Sequence, residues 1–175
     1  MPPRRIESAT HLSDEIRRRA GLAAGVPRPF VVAIDGRGGA GKSTLAEVVT
    51  ARLNAALIEG DQFYAGGADA DWARLPVVDR IDRVIDWRRL RREALEPLAA
   101  GQAATWRSFD FAGGFGLAEQ STIRQAAGVV ILEGAYASRP QLADLLDFTV
   151  LIEMRDDAAR RARLIAREGG AFMAA

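Results

Sequence analysis

The chain has 175 residues, of which 49% are apolar and 27% charged, with 24 Lys plus Arg against 23 Asp plus Glu. That composition suits one domain with a buried core, and it excludes a disordered chain or a broad electrostatic field for nucleic acid or membrane. Cysteine is absent, which removes disulfides and thiolate-ligated metal. No apolar run reaches the roughly 18 residues of a membrane span. Met1-Pro2-Pro3-Arg4-Arg5 leads into charged residues, not into the apolar centre of a signal peptide. A cytoplasmic protein is expected.

In chain order, residues 1–28 read as an N-terminal extension with a helix over Ser13 to Ala24, Ser13 being its N-cap and Asp14 and Glu15 its first turn. His11, the single histidine, lies in this polar stretch and reads as solvated surface. After Pro27 and Pro29, the apolar, β-branched run Phe30 to Asp35 predicts a strand buried on both faces, as in a parallel sheet. A glycine loop and a helix over Ser43 to Asn54 follow. Ala56 to Glu59 predicts a second strand, and Ala65 to Asp71 a flexible loop. Asp86 to Ala100 predicts a helix whose end Pro97 disturbs. Ala103 to Trp106 reads as a short strand or an edge segment, Val129 to Leu132 as a buried strand, Arg139 to Leu146 as a helix, and Phe148 to Glu153 as a strand. Asp156 to Glu168 is a charged helix within an Arg-rich segment over 155–170. Strands alternating with helices predict a single α/β domain, a parallel sheet covered on both faces in three layers.

Gly36-Arg37-Gly38-Gly39-Ala40-Gly41-Lys42-Ser43, followed by Thr44, matches the phosphate-binding pattern G-x-x-x-x-G-K-[ST] between a strand and a helix. The glycines let successive N–H groups converge on phosphate oxygens, and the helix start adds its positive dipole end. Lys42 is placed to neutralise the β- and γ-phosphates of ATP, and the Ser43 hydroxyl to bind Mg²⁺. Lys42 is also the single lysine of the chain. Everywhere else positive charge is supplied by arginine, so a compact ammonium is chemically specified at this one place.

Ligands of open parallel sheets sit beyond the carboxyl ends of the strands. Asp61 and Glu133 each follow a predicted strand there. Asp61 is placed to take the proton of an attacking hydroxyl, and Glu133 to hold Mg²⁺ directly or through water. The alternative for each is a helix cap or a surface ion pair. Arg160, Arg163 and Arg167 share one helical face. That face either closes over the phosphates or is a solvated surface paired with Asp156, Asp157 and Glu168.

The ordered set of P-loop, Asp61-Gln62-Phe63-Tyr64, Asp86-Trp87, Phe109-Asp110-Phe111, Glu133-Gly134 and an Arg-rich helix ending Arg167-Glu168 resembles the uridine kinase family. That family lies within the wider group that holds phosphoribulokinase and pantothenate kinase. The resemblance covers about Phe30 to Gly169. It implies a five-stranded parallel sheet and MgATP as donor. It implies Asp61 as catalytic base, Tyr64, Phe109 and Asp110 beside the acceptor, Glu133 near Mg²⁺, and Arg160, Arg163 and Arg167 in a lid. Where the family carries Tyr-Asp-Phe followed by a histidine to read a pyrimidine, this chain has Phe109-Asp110-Phe111 followed by Ala112-Gly113-Gly114-Phe115. Asp79, Asp82 and Asp86 are alternative ribose partners. The family continues with a further helix where this chain ends at Ala175, which implies a truncated chain or a short variant.

The expected activity is therefore phosphoryl transfer from MgATP to the hydroxyl of a small molecule, a uridine- or cytidine-like nucleoside foremost. Pantothenate, ribosylnicotinamide or sugar acceptors, a switch-type ATPase and a non-catalytic nucleotide-binding module are the alternatives. A GTPase would need an Asn-Lys-x-Asp motif, which a single P-loop lysine forbids. No nucleic acid or membrane partner is expected, and a homo-oligomer is left open.

Overall fold

The computed structural model describes residues 5–22, 25, 28–67, 69–113, 116–154 and 156–168, and only the backbone of Leu22, Asp69, Arg167 and Glu168. The chain enters through helix α1 (Ala9–Leu22), which starts earlier than its polar residues predict. Ser8 Oγ accepts the His11 N–H, as an N-cap does, while Ser13 is buried one turn inside and donates to the Ala9 carbonyl at 2.8 Å. His11 is exposed, as expected. Strand β1 (Phe30–Gly36) runs into the glycine loop and helix α2 (Lys42–Leu53), then strand β2 (Ala56–Glu59) ends in a 3₁₀ turn at Gly60–Phe63.

The stretch read as a flexible loop is instead partly helical. Helix α3 (Asp69–Arg74) starts within it, and helix α4 (Val77–Arg83) follows. Next comes a continuous helical run made of α5 (Trp87–Leu90), a π-turn at Arg91–Leu95 and α6 (Glu96–Ala99). Pro97 lacks an N–H and its ring displaces the carbonyl four residues back, so the turn before it widens.

Strands β3 (Ala104–Asp110) and β4 (Gly116–Arg124) pair antiparallel, with a bulge between Arg107 and Phe109. Strand β5 (Val129–Glu133), strand β6 (Phe148–Ile152) and helix α7 (Asp157–Glu168) complete the described residues. The helix expected over Arg139 to Leu146 is reduced to one 3₁₀ turn at Pro140–Leu142. Proline holds the residue before it extended, and Arg139 has ψ 147°.

The main sheet is parallel with order β2-β5-β1-β6. It has four strands among the described residues, where five were expected. The segment read as a short strand or an edge segment, Ala103 to Trp106, is a strand from Ala104 onward and belongs to the separate β3–β4 hairpin. β1 is central and buried on both sides, as its unbroken apolar run requires. Val31 and Ala33 face Phe63, Leu95, Leu98 and Trp106, whereas Val32 and Ile34 face Leu12 and Ile16 of α1 and Val49 of α2. These two cores make the expected three layers. At roughly 1.5–3 kcal/mol per buried large aliphatic side chain, they hold the carboxyl ends of β1, β2 and β5 in one plane. No described helix is long and apolar enough to cross a membrane.

Candidate active site

Three backbone ends converge at the top of the sheet. The P-loop bends through positive φ at Gly36 (148°), Gly39 (76°) and Gly41 (92°), and Gly41 is the N-cap of α2. Two of these glycines are also demanded by close approach. A Cβ at Gly36 would lie 2.5 Å from the Ile152 carbonyl oxygen, and one at Gly39 2.8 Å from the Arg160 carbonyl oxygen. Arg37 and Thr44 are exposed, and Ala40 closes the tight turn through its N–H to the Arg37 carbonyl. Lys42 is 9% exposed, and its Nζ donates to the Arg37 carbonyl at 3.2 Å. A neutral acceptor at that distance holds an ammonium loosely, so it can turn to a phosphate.

Glu133, at the end of β5, is 4% exposed, and both its oxygens accept from the Ser43 hydroxyl at 3.4 Å. Burial raises its pKa to about 7, Asp61 and Glu59 add to the rise, and Lys42 and the Ser43 hydroxyl oppose it. Three carboxylates gathered at two strand ends favour a bound cation or a held proton. The Ser43 hydroxyl and the Glu133 carboxylate are hard oxygen donors that suit Mg²⁺. Among the described residues no group of three or more His, Cys, Asp or Glu could enclose a metal ion.

Lys42, Ser43, Thr44, Asp61, Glu133 and Arg163 line one open cleft of about 410 Å³, together with P-loop glycines. The expected lid face divides. Arg163 lines the cleft, but Arg160 is buried behind the P-loop, donating to the Gly38 carbonyl at 3.0 Å and to Asp157 at 2.8 Å. Arg160 therefore braces the loop from outside, and its guanidinium is committed to Gly38 and Asp157. The Arg167 side chain lies outside the described residues.

On the other side of Asp61, Tyr64 meets Phe109 edge-on at 4.9 Å and Phe111 at 5.5 Å, with Trp72 at 6.1 Å. Phe111 is 66% exposed, while Phe109 is buried. The Asp110 carboxylate accepts the N–H groups of Ala112 and Gly113 at 2.9 Å each, so it shapes the hairpin turn. Trp106 is core: it packs on Phe63 and donates to the Gln62 side chain at 2.8 Å.

Two positioning residues escaped the sequence reading. Asp35 accepts from the N–H groups of Gly36, Tyr136 and Ser138 and from the Ser138 hydroxyl, tying the P-loop to the loop after β5. Arg89, buried, donates to the Arg107 and Gln62 carbonyls at 2.7 and 3.3 Å, tying the hairpin to the Asp61 turn. Their partners are distant in sequence; the one available signal was that each lies at the edge of a recognised motif.

A nucleotide-phosphate cradle on a doubly covered parallel sheet defines a P-loop α/β protein. No protein-family model matches the chain. Among solved structures, it is similar to a candidate fructose transport system kinase from Silicibacter sp. TM1040, with TM-score 0.69 and 23% identity over 93% of this chain and 82% of the other. It is similar to a candidate uridine kinase from Bacillus stearothermophilus, with TM-score 0.64 and 15% identity over 89% of this chain and 97% of the other. A D-glycerate 3-kinase from Cryptococcus neoformans matches at TM-score 0.52 and 18% identity, over 73% of this chain and 52% of the other. The chain has the P-loop kinase fold of the uridine kinase type.

Proposed function

We propose that this protein transfers the γ-phosphoryl group of MgATP to a hydroxyl of a small molecule. The observation that carries this reading is the meeting of Lys42, Ser43, Asp61, Glu133 and Arg163 in one cleft. Bound Mg²⁺ would neutralise charge on the β- and γ-phosphates, with Ser43 and Glu133 as its protein-side oxygens. The P-loop N–H groups hold the phosphates, and Lys42 and Arg163 balance the charge that gathers on the transferring group. Asp61 orients the acceptor hydroxyl and takes its proton as the oxygen–phosphorus bond forms and the bond to the ADP oxygen breaks.

A nucleoside acceptor rests on the sequence resemblance. Phe111 offers an exposed ring face, Phe109 is buried, and neither carries a hydrogen-bonding group to read a base. The three kinases similar in fold carry names with different acceptors, so the acceptor is left as a hydroxyl compound at this point. The test is a mass-spectrometric screen of a metabolite pool with MgATP. One or more phosphorylated products, formed in step with ADP, support the reading. ADP release without product would instead mark a switch-type ATPase, and neither would leave a binding module.

A further inference from the structure

Asp61, the proton acceptor of the proposed transfer, is exposed, and its carboxylate accepts no hydrogen bond from the described residues. Its aim is therefore set by its rotamer and by the backbone of the 3₁₀ turn Gly60–Phe63. The next residue, Gln62, is held at three atoms. Its Oε1 accepts from the Trp106 indole at 2.8 Å, its Nε2 donates to Glu59 at 2.5 Å, and its backbone carbonyl accepts from Arg89 at 3.3 Å. The two side-chain partners leave the amide one orientation, because an indole N–H only donates and an ionised carboxylate only accepts. They also come from different parts of the fold. Glu59 ends β2 and stands in register with Glu133, whereas Trp106 lies buried on β3, 5.6 Å from the Phe63 ring. Arg89 also donates to the Arg107 carbonyl on β3 and lies 4.6 Å over the Phe63 ring. Gln62 thus spans from the main sheet to the hairpin, with Asp61 before it and the buried Phe63 after it.

We infer that Gln62 is a positioning residue for the transfer: the Trp106–Gln62–Glu59 chain fixes the turn that aims Asp61 at the acceptor hydroxyl. Breaking either bond leaves a partner unsatisfied. Without Gln62 Oε1 the buried indole N–H of Trp106 loses its acceptor, and without Nε2 Glu59 keeps its charge beside Glu133 with one donor fewer. The turn then shifts toward other partners. A displacement of about 1 Å at a reacting group is costly in rate, whereas the P-loop is untouched. The effect therefore belongs to kcat and not to nucleotide binding. This inference rests on the role proposed for Asp61, but the clamp on the turn can be observed without any substrate.

Two variants test it. Gln62→Met keeps the length of the side chain and removes both of its hydrogen bonds; Trp106→Phe keeps an aromatic ring in the core and removes the donor. In ¹⁵N-labelled protein without nucleotide, the Trp106 indole resonance, assigned through Trp106→Phe, should shift in Gln62→Met, and the Asp61 backbone amide should shift in both variants. With MgATP and the acceptor found by the metabolite screen, each variant should lower kcat about tenfold or more with the KM for ATP unchanged. The double variant should be no slower than the slower single one, because both break one chain, whereas independent losses of packing would multiply. An indole resonance that stays still in Gln62→Met, an unchanged kcat, or losses that multiply in the double variant would each overturn the inference. Shifts at Trp106 and Asp61 with no transfer by the parent protein to any acceptor leave the clamp on the turn standing and overturn the kinase reading instead.

Discussion

The two halves of the cleft are built by different means. The phosphate half is a short stretch of contiguous chain, Gly36 to Thr44, whose function is carried by backbone N–H groups and one lysine. The half proposed to take the acceptor draws on distant segments: Asp61, Glu133 and Ala135 line the cleft, and Arg89, Asp35 and the Asp82–Arg139 pair tie the β3–β4 hairpin, α4 and the loop after β5 to its surroundings. On the proposed reading, backbone recognition would hold any nucleoside triphosphate, whereas assembled side chains would select the acceptor.

Replacing Lys42 should break the phosphate half most completely. Lys42→Ala is expected to reduce transfer about a thousandfold, in line with removal of a main transition-state charge. Lys42→Arg should lose at least tenfold, because a planar fork replaces a point charge. A steady-state assay coupled to ADP release measures both, and near-normal activity of Lys42→Arg would mean that the lone lysine is not chemically required.

The boundary between the halves is Asp61. Asp61→Asn should lower kcat by roughly 10²–10⁴ with nucleotide affinity unchanged, since it removes a proton acceptor and not a phosphate contact. Calorimetric titration with ATP beside single-turnover transfer separates the two. Unchanged transfer would remove Asp61 from its role.

A smaller effect should appear in stability. Glu133 is a carboxyl whose folded pKa, about 7, exceeds its ordinary 4.5. The folded state therefore holds a proton that the unfolded chain has released between those values. The stability this confers is complete below about pH 4.5 and is lost as pH rises through 7. Glu133→Gln, uncharged throughout, should match the parent near pH 4.5 and exceed it by about 2–3 kcal/mol above pH 7, without metal or nucleotide. Urea melts at pH 5 and pH 8 decide this; an equal difference at both values would show that the ionisation of Glu133 is not strained by its surroundings.

Legibility followed the same division. β1, α2, β2, β5 and β6 were readable because each is specified locally, by an unbroken apolar run or by helical spacing next to a glycine loop. The β4 strand was not, because Gly116–Arg124 is mostly exposed and carries no apolar alternation. The helix expected over Arg139 to Leu146 failed at Pro140, where a local proline rule outweighs composition. Arg160 and Arg163 lie on one predicted face. The packing of α7 on Gly39 then sends one behind the P-loop and leaves the other in the cleft.

By itself, then, the sequence determined the layered parallel sheet and the phosphate cradle, since both depend on neighbours within a few residues. Tertiary structure alone decided the clasp of Asp35 on Ser138 across 103 residues, the Arg89 tie to the hairpin, and the meeting of Trp87 with Arg139. Such contacts form only when the cores on both faces of the sheet have closed the intervening loops. No local pattern encodes which distant partner a buried charge will find.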